Sequence, residues 1–444
     1  MNTPASPTAK EQPAGIQRKV AIAACFGTFL EWYDFLTFAS LATWFGALFF
    51  PPDDPVTGLL ASLGTFGVGM IVRPLGAALF GSLGDRHGRR TIFLVTIVLM
   101  GGATFAVGLL PTYAQAGLLA PALLLVLRMV QGLSVGGEIG GAAVYLTEHA
   151  PAGRRGTYTS VLQLMGPLGM LASTLQIVVL QHFLSDAEFR DWGWRVPFLL
   201  SALLLAISIK SRINLHESPV FRHLRERKAI ARTPLKECFS DRQTLGRMAL
   251  LFFCISSGGS LLFFSSQVYA GVFLKTVIKL DVRTASELVG LSTLCLFPLT
   301  ILCGWLSDRI GRRPVLLFGL LWGALSIFPV FLGLLHFGSQ PQPNLAAMAL
   351  LLLVLAIALA AITGPQTAVL AELFPARTRY SAVALPHNLS AGWIGGLSPL
   401  VVTWLGTHFG NPLYGLAYPA GLLILASVAG LLFLPEVYNR PLDD

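Results

Sequence analysis

Gly81-Ser82-Leu83-Gly84-Asp85-Arg86-His87-Gly88-Arg89-Arg90 returns later in the chain as Gly304-Trp305-Leu306-Ser307-Asp308-Arg309-Ile310-Gly311-Arg312-Arg313. Seven of the ten positions are identical, and the copies stand 223 residues apart in a chain of 444. A second pair keeps nearly the same offset: Glu148-His149-Ala150-Pro151 with Arg154, and Glu372-Leu373-Phe374-Pro375 with Arg377. Self-similarity at half the chain length indicates a duplicated unit of roughly 220 residues.

The sequence around the repeat says what the unit is. Hydrophobic residues make up 54% of the chain and charged residues 12%, about half the charged fraction of a soluble domain; the mean hydropathy is +0.68. Apolar runs of about 20 residues or more, each long enough to cross a hydrocarbon layer as a helix, centre near residues 35, 70, 100, 133, 168, 203, 260, 295, 325, 358, 393 and 423. Leu118–Leu127, Phe198–Ile207 and Met348–Ile362 are nearly charge-free stretches within them. Twelve runs over two repeats predict an all-α integral membrane protein of two six-helix bundles. The short alternating segments of a β-barrel are absent.

Charge placement orients the chain. The net charge is +9, yet with the N-terminus inside, 24 of the 31 Lys and Arg fall in cytoplasmic segments, ten of them across 210–247. Five fall outside (Arg190, Arg195, Lys275, Lys279, Arg283), and Arg73 and Arg128 lie inside apolar helices. This positive-inside bias predicts both termini in the cytoplasm and a lipid bilayer, not nucleic acid, as the partner of the charge. The expected division is a disordered tail over 1–17, bundles over 18–213 and 247–434, a linker over 214–246 and a tail over 435–444. The linker reads as a solvated connector that could also rest on anionic lipid. No signal peptide is read in the polar N-terminus. Cys25, Cys238, Cys254, Cys295 and Cys303 show no pairing or metal-type spacing and read as small apolar residues.

Both decapeptides fall in cytoplasmic loops, so each repeat starts and ends inside. That makes the halves parallel repeats about an axis along the membrane normal. Within each loop the glycines Gly81, Gly88 and Gly311 suit a tight turn and close backbone approach. Asp85 and Asp308 can cap a neighbouring helix, and Arg86, Arg89, Arg90, Arg309 and Arg312 can pair with carboxylates such as Glu148 and Glu372. A loop of this pattern resembles the signature of the major facilitator superfamily, and the resemblance covers the whole chain. It implies a cytoplasmic latch between the halves, with these residues conformational rather than substrate-binding.

Charge inside a bilayer is costly and reads as functional. Glu31-Trp32-Tyr33-Asp34-Phe35 puts two carboxylates three residues apart on one helix face. Counted from Arg18 they sit about 20 and 24 Å above the cytoplasmic end. Arg73-Pro74 stands about 18 Å above Asp85, and the fourth run carries Arg128 and Glu138. The second half offers only neutral polar residues such as Gln267, Tyr269, Gln366, His387 and Asn388. Coupling to a proton therefore belongs to the first half, unless these charges are static buried pairs. Asp34 with Arg128 is the leading pair for proton binding, Glu31 the second candidate acid and Glu138 the third.

The resemblance narrows here to the metabolite:proton symporter family. It rests on the Glu31–Phe35 stretch, on Arg73-Pro74-Leu75-Gly76 and on Gln131-Gly132-Leu133-Ser134-Val135-Gly136-Gly137-Glu138. Further matches are Trp192-Gly193-Trp194-Arg195-Val196-Pro197-Phe198, Glu217-Ser218-Pro219, Arg379-Tyr380-Ser381 and Asn439-Arg440-Pro441-Leu442. That family carries citrate, oxoglutarate, shikimate and related acids, and proline and betaine. All are carboxylates. Arg73, Arg195 and Arg128 are permanently charged forks suited to holding one, with Tyr33, Gln131 and Asn388 expected beside them; for Arg195, next to Trp194, an interfacial anchor is the competing reading.

Other signals are weaker. Gly132, Gly136 and Gly140 have the spacing of close helix packing. Gly166-Pro167-Leu168-Gly169 reads as a kink, and His387 as a packing residue.

The sequence therefore predicts a monomeric, proton-coupled symporter of the bacterial inner membrane, without a cofactor other than the proton. Its expected cargo is a small organic anion, a di- or tricarboxylate such as citrate, tricarballylate or oxoglutarate. The alternatives are a proline or glycine betaine symporter and a metabolite or drug exporter. The osmosensing relatives' long C-terminal extension has no counterpart here, the chain stopping at Asp444. A non-transporting sensor has no signalling tail to support it, and an enzyme no catalytic constellation.

Overall fold

A computed structural model describes residues 14–51, 55–213 and 216–442; most of the expected N-terminal tail and the first two residues of the expected linker lie outside the described residues. Among the described residues, twelve helices are long and apolar enough to cross a membrane. They are α1 (Arg18–Phe38), α2 (Gly67–His87), α3 (Arg89–Gly108), α4 (Leu119–His149), α5 (Arg155–Phe183) and α6 (Gly193–Ile213) in the first half. The second half holds α7 (Arg242–Thr276), α8 (Arg283–Ile310), α9 (Arg312–Gly338), α10 (Leu345–Glu372), α11 (Arg379–His408) and α12 (Tyr414–Phe433). Every expected centre falls inside one of them, and no strand occurs among the described residues.

Three local features position the functional groups. First, α2 and α4 meet backbone to backbone. A Cβ on Gly132 would lie 2.2 Å from the Gly69 carbonyl oxygen, and one on Gly136 would lie 2.1 Å from that of Arg73. Only glycine fits such a seam, and it fixes Arg73 and Arg128 on one rigid frame. Second, α5 is interrupted at Leu164, between helical stretches Arg155–Gln163 and Met165–Phe183. Pro167 has no N–H to offer the carbonyl of Gln163, which accounts for the break. The glycines beside it let α1 approach: a Cβ on Gly169 would lie 2.8 Å from the Tyr33 backbone N. Third, α7 and α11 contain π-helical stretches, at Leu251–Ser256, Phe264–Tyr269 and Ser390–Gly395, a distortion that frequents functional sites.

Several segments differ from expectation. The connector after α6 is not merely solvated. Two short helices, Pro219–Glu226 and Pro234–Ser240, bury Val220, Phe221 and Cys238. The segment after α12 is likewise docked, with Leu434, Val437 and Leu442 buried. Trp194 is no interfacial anchor: it is 0% exposed, packed edge-on against Phe45 and Phe49. Arg212, which by position belongs with the basic connector, is also 0% exposed, because its guanidinium turns inward at the end of α6.

Candidate functional site

The two decapeptides do the same work in mirrored places. Gly88 and Gly311 adopt φ of +112° and +100°, which glycine tolerates without strain, and each turns the chain from one helix straight into the next. A carboxylate then caps the new helix. Glu217 accepts from the backbone N of Arg89 at 3.1 Å and of Arg90 at 3.3 Å. Glu436 accepts from Arg312 N and Arg313 N, both at 3.0 Å. A Cβ on either glycine would strike its capping carboxylate, at 2.3 Å from Glu217 and 2.4 Å from Glu436.

The aspartates reach across to the opposite half. Asp85 accepts from the backbone N of Tyr380 at 3.2 Å and of Ser381 at 2.9 Å, in the first turn of α11. Asp308 accepts from Gly156 N at 2.8 Å and from Thr157 N and Oγ1 at 2.7 Å, in the first turn of α5. A negative charge at a helix N-terminus is favoured by the exposed amides and the helix dipole. Two carboxylates complete the arrangement. Glu148 holds Arg89 of its own half at 3.2 Å and Arg379 of the other at 2.8 Å. Glu372 holds Arg312 at 3.0 Å and Arg155 of the other half at 3.3 Å. Gly81 and Gly84 admit α11 closely, with Cβ positions 3.1 Å from Ser381 Cα and 2.2 Å from the Tyr380 ring. The remaining basic residues stand apart: Arg90 donates to the Ile213 carbonyl at 2.6 Å, Arg309 stacks on Trp305, and Arg86 is exposed. The halves are thus clamped together at the face that carries both loops.

Deeper in the first half, the expected charges do not pair as the sequence suggests. No ion pair joins Asp34 to Arg128. Asp34 Oδ1 has no hydrogen-bond partner among the described residues; Gln131 donates to Thr104 Oγ1 at 2.8 Å and accepts from Arg128 Nη1 at 2.8 Å. An amide on its own helix therefore meets Arg128, and a hydroxyl of α3 meets that amide. Arg128 also lies over Phe35 and Phe38, with its Cζ at 4.8 and 4.0 Å from the ring centroids. Glu138 is the acid that has a direct partner: Arg212 at 2.7 Å, with Thr96 donating at 2.9 Å. Gly27 makes room for that pair, since a Cβ there would lie 1.3 Å from Arg212 Nη2. Glu31 is 1% exposed, and neither carboxylate oxygen has a hydrogen-bond partner among the described residues. The charges that act on it are those of Arg73, Glu138 and Arg212.

Between the halves lies a cavity of about 90 Å³. Trp32, Arg73 and Gln163 line it from the first half; Phe263, Phe264, Gln366 and His387 line it from the second. Arg73 is 1% exposed, and its Nε and Nη2 have no hydrogen-bond partner among the described residues. Its Cζ stands 4.6 Å from the Phe35 ring centroid and 6.0 Å from that of Trp32. Arg73 is the sole cationic residue among those that line the cavity, and no carboxylate lines it. His387 is hydrogen-bonded through Nδ1 to Ser256 at 2.9 Å.

The other residues expected at the substrate lie elsewhere. Arg195 donates to the carbonyls of Gly108 at 2.9 Å and Leu110 at 2.6 Å, closing the end of α3. Tyr33 donates to Gln176, and Asn388 donates to the Gly136 carbonyl across the halves at 2.9 Å. Arg128 is bonded to Gln131, and Gln131 to Thr104. Arg212, Thr104, Glu436 and the aromatic lining were not singled out from the sequence; of these Glu436 had a signal, since Pro435-Glu436 follows the last span much as Glu217 follows the sixth.

Comparison with known proteins agrees with this architecture. The family described as "Sugar (and other) transporter" matches residues 20–444. The chain is 34% identical over 422 residues to the inner membrane metabolite transport protein YhjE of Escherichia coli K12, covering 93% of this chain and 94% of that one. It is 34% identical over 438 residues to the glycine betaine/proline/ectoine/pipecolic acid transporter OusA of Dickeya dadantii, covering 96% of this chain and 85% of that one. Among solved structures, the proton:xylose symporter XylE bound to 6-bromo-6-deoxy-D-glucose is similar with a TM-score of 0.75 at 18% identity, covering 97% of this chain and 98% of that one. At that identity the likeness is one of fold.

Proposed function

The chain belongs to the sugar (and other) transporter family of the major facilitator superfamily, and from that premise we propose that it is a proton-coupled symporter of a small zwitterion of the proline and glycine betaine type. Membership makes it a multi-pass transporter of the bacterial inner membrane, not an enzyme. The observation that carries the substrate class is the lining of the central cavity: one buried, unsatisfied guanidinium, three aromatic rings and no carboxylate.

A single fork suits a single carboxylate, held bidentately by Arg73. The other end of the solute meets Trp32, Phe263 and Phe264. A methylated or cyclic ammonium has few or no N–H donors, needs no acid partner and is attracted by ring faces. A di- or tricarboxylate is disfavoured on the same grounds, because Arg128 and Arg195, which were to hold its further charges, do not line the cavity. Relatives named as proline and betaine transporters point the same way.

Asp34 and Glu31 are the acids without an ion pair, and Asp34 takes the coupled proton in this reading. Glu31 balances the charge of Arg73 until the carboxylate of the solute replaces it. Glu138 is set aside because Arg212 already neutralises it.

The test is uptake into proteoliposomes under an imposed pH gradient, acid outside. Glycine betaine and proline are expected to accumulate and citrate is not. Arg73→Ala should abolish uptake of both. Gradient-driven citrate uptake without betaine or proline uptake would overturn the reading.

A further inference from the structure

Three of the residues that line the central cavity carry buried polar atoms without a hydrogen-bond partner among the described residues: Arg73, Thr28 of α1 and Thr300 of α8. Arg73 holds the carboxylate in the zwitterion reading. The two hydroxyls have no task in it, and they belong to opposite halves of the molecule. Both side chains are buried, Thr300 at 0% exposure and Thr28 at 5%.

A threonine inside a membrane helix commonly satisfies its hydroxyl by bonding back to the carbonyl four residues earlier. Thr37, Thr147 and Thr363 do so at 2.7, 2.7 and 2.9 Å. Other polar groups on the cavity are also engaged: Gln163 donates to Thr367 Oγ1 at 3.0 Å, and His387 is bonded to Ser256. Thr28 and Thr300 depart from this pattern, and they do so beside the space between the halves. A buried polar group left unpaired is costly, so two of them on one cavity mark where a ligand supplies the missing partners.

The chemistry of that ligand follows from what the hydroxyls offer. Each has one proton and two acceptor sites. The proton can turn to the carbonyl behind it, as that of Thr363 does, which leaves the acceptor sites for the ligand. Acceptors on a lining without a carboxylate suit a cation that still carries N–H groups. A quaternary ammonium has none and would leave both oxygens orphaned. A secondary ammonium has two, one for each hydroxyl, and its ring methylenes can lie against Trp32, Phe263 and Phe264.

We propose that Thr28 and Thr300 set the specificity of the transport site by accepting the two N–H groups of a cyclic secondary ammonium. The preferred solute is then an imino acid of the proline type, and a fully methylated betaine is a weaker one. Because one hydroxyl comes from each half, the same ammonium also ties α1 to α8. The inference rests on the zwitterion reading, with Arg73 as the carboxylate clamp.

The experiment is uptake into proteoliposomes of proline and of N,N-dimethylproline, which keeps the ring and the carboxylate and has no N–H. The native chain should take up proline with the lower KM. Thr28→Val and Thr300→Val keep the side-chain shape and remove the hydroxyl. Each should raise the KM for proline about tenfold relative to that for N,N-dimethylproline, the worth of one hydrogen bond from a charged donor. Thr28→Ser and Thr300→Ser should restore the native ratio, and alanine replaces valine where valine does not pack. Equal increases for both solutes would make the hydroxyls partners of the shared carboxylate, and no increase would make them sites for water. Either result overturns the inference and leaves the zwitterion reading standing. Failure of the native chain to take up either solute would remove that reading and the inference with it.

Discussion

Asp308→Asn should loosen both ends of the clamp, not only the end where the change is made. Oδ1 of Asp308 receives Gly156 N at 2.8 Å and Arg312 Nη1 at 2.7 Å; Oδ2 receives Thr157 N and Oγ1, both at 2.7 Å. Asparagine keeps one acceptor, so either pair of donors loses its partner and faces an amide NH2 instead. The negative charge at the first turn of α5 is lost as well. Where Oδ2 becomes the amide nitrogen, two hydrogen bonds to the other half at about 1 kcal/mol each give about 2 kcal/mol, or roughly a 30-fold shift toward separation of the halves at this face; where Oδ1 does, only the Gly156 bond crosses the halves and the shift is about half as large in free energy. Amide hydrogen exchange in nanodiscs reads that shift directly. The amides of Gly156 and Thr157 should exchange faster for purely local reasons. The informative amides are Tyr380 and Ser381, which bond to Asp85 at the other, pseudo-equivalent end. If the halves part as bodies, these should accelerate by a comparable factor. Acceleration confined to residues 155–160 would refute the reasoning and reduce Asp308 to a helix cap.

Two further outcomes follow from the placement of buried arginines. Arg212→Met leaves Glu138 charged between α1, α3 and α4 with no cation and only the Thr96 hydroxyl to hold it, a loss of about 3–5 kcal/mol; folded yield should collapse, and Glu138→Gln added to it should recover much of that yield, as scored by size-exclusion profile and thermal midpoint. Arg195→Ala removes two bonds to the end of α3 at a half-exposed site and should lower stability by about 1 kcal/mol while leaving the KM for betaine uptake unchanged; a KM raised tenfold would return Arg195 to the substrate site.

The spans and the clamp were legible in the sequence because both depend on local pattern. Hydrophobic runs of bilayer length declare themselves, and a loop that must turn tightly while presenting Asp and Arg leaves a fixed spacing. The partners of that loop were only partly legible. Glu148 and Glu372 were read from the offset, but the capping role of Asp85 and Asp308 toward the opposite half depends on which helix end arrives there. The buried charges were legible as a set and not as pairs. Arg212 sits where an apolar run ends, so its position suggests a cytoplasmic anchor, and only the direction of its side chain makes it the partner of Glu138. Asp34 and Arg128 lie at similar depth, as counted along their helices, yet Arg128 donates to Gln131 and no ion pair joins it to Asp34. Thr104, which accepts from Gln131, is one of three threonines in α3 and stands in no distinguishing pattern. The cavity was illegible for the same reason. Trp32, Phe263 and Phe264 are ordinary membrane residues until two halves bring them to one side of Arg73.

The clamp is symmetric and the buried charge is not, and the helix seams explain how the two connect. Each half lends an aspartate to a helix start of the other, so neither α5 nor α11 can move away without both halves losing a cap. Within the first half, the glycine contacts between α2 and α4 hold Arg73 and Arg128 on one frame. The acids Glu31 and Asp34 belong to α1, which leans on the glycine edge of α5. In the proposed reading, protonation of an acid on α1 would act as a change in its register against these arginines. That change passes to α5, whose first turn is the one Asp308 caps. The proposed proton site and the clamp are then joined through the same pair of helices, α1 and α5. The second half needs no buried charge of its own to follow.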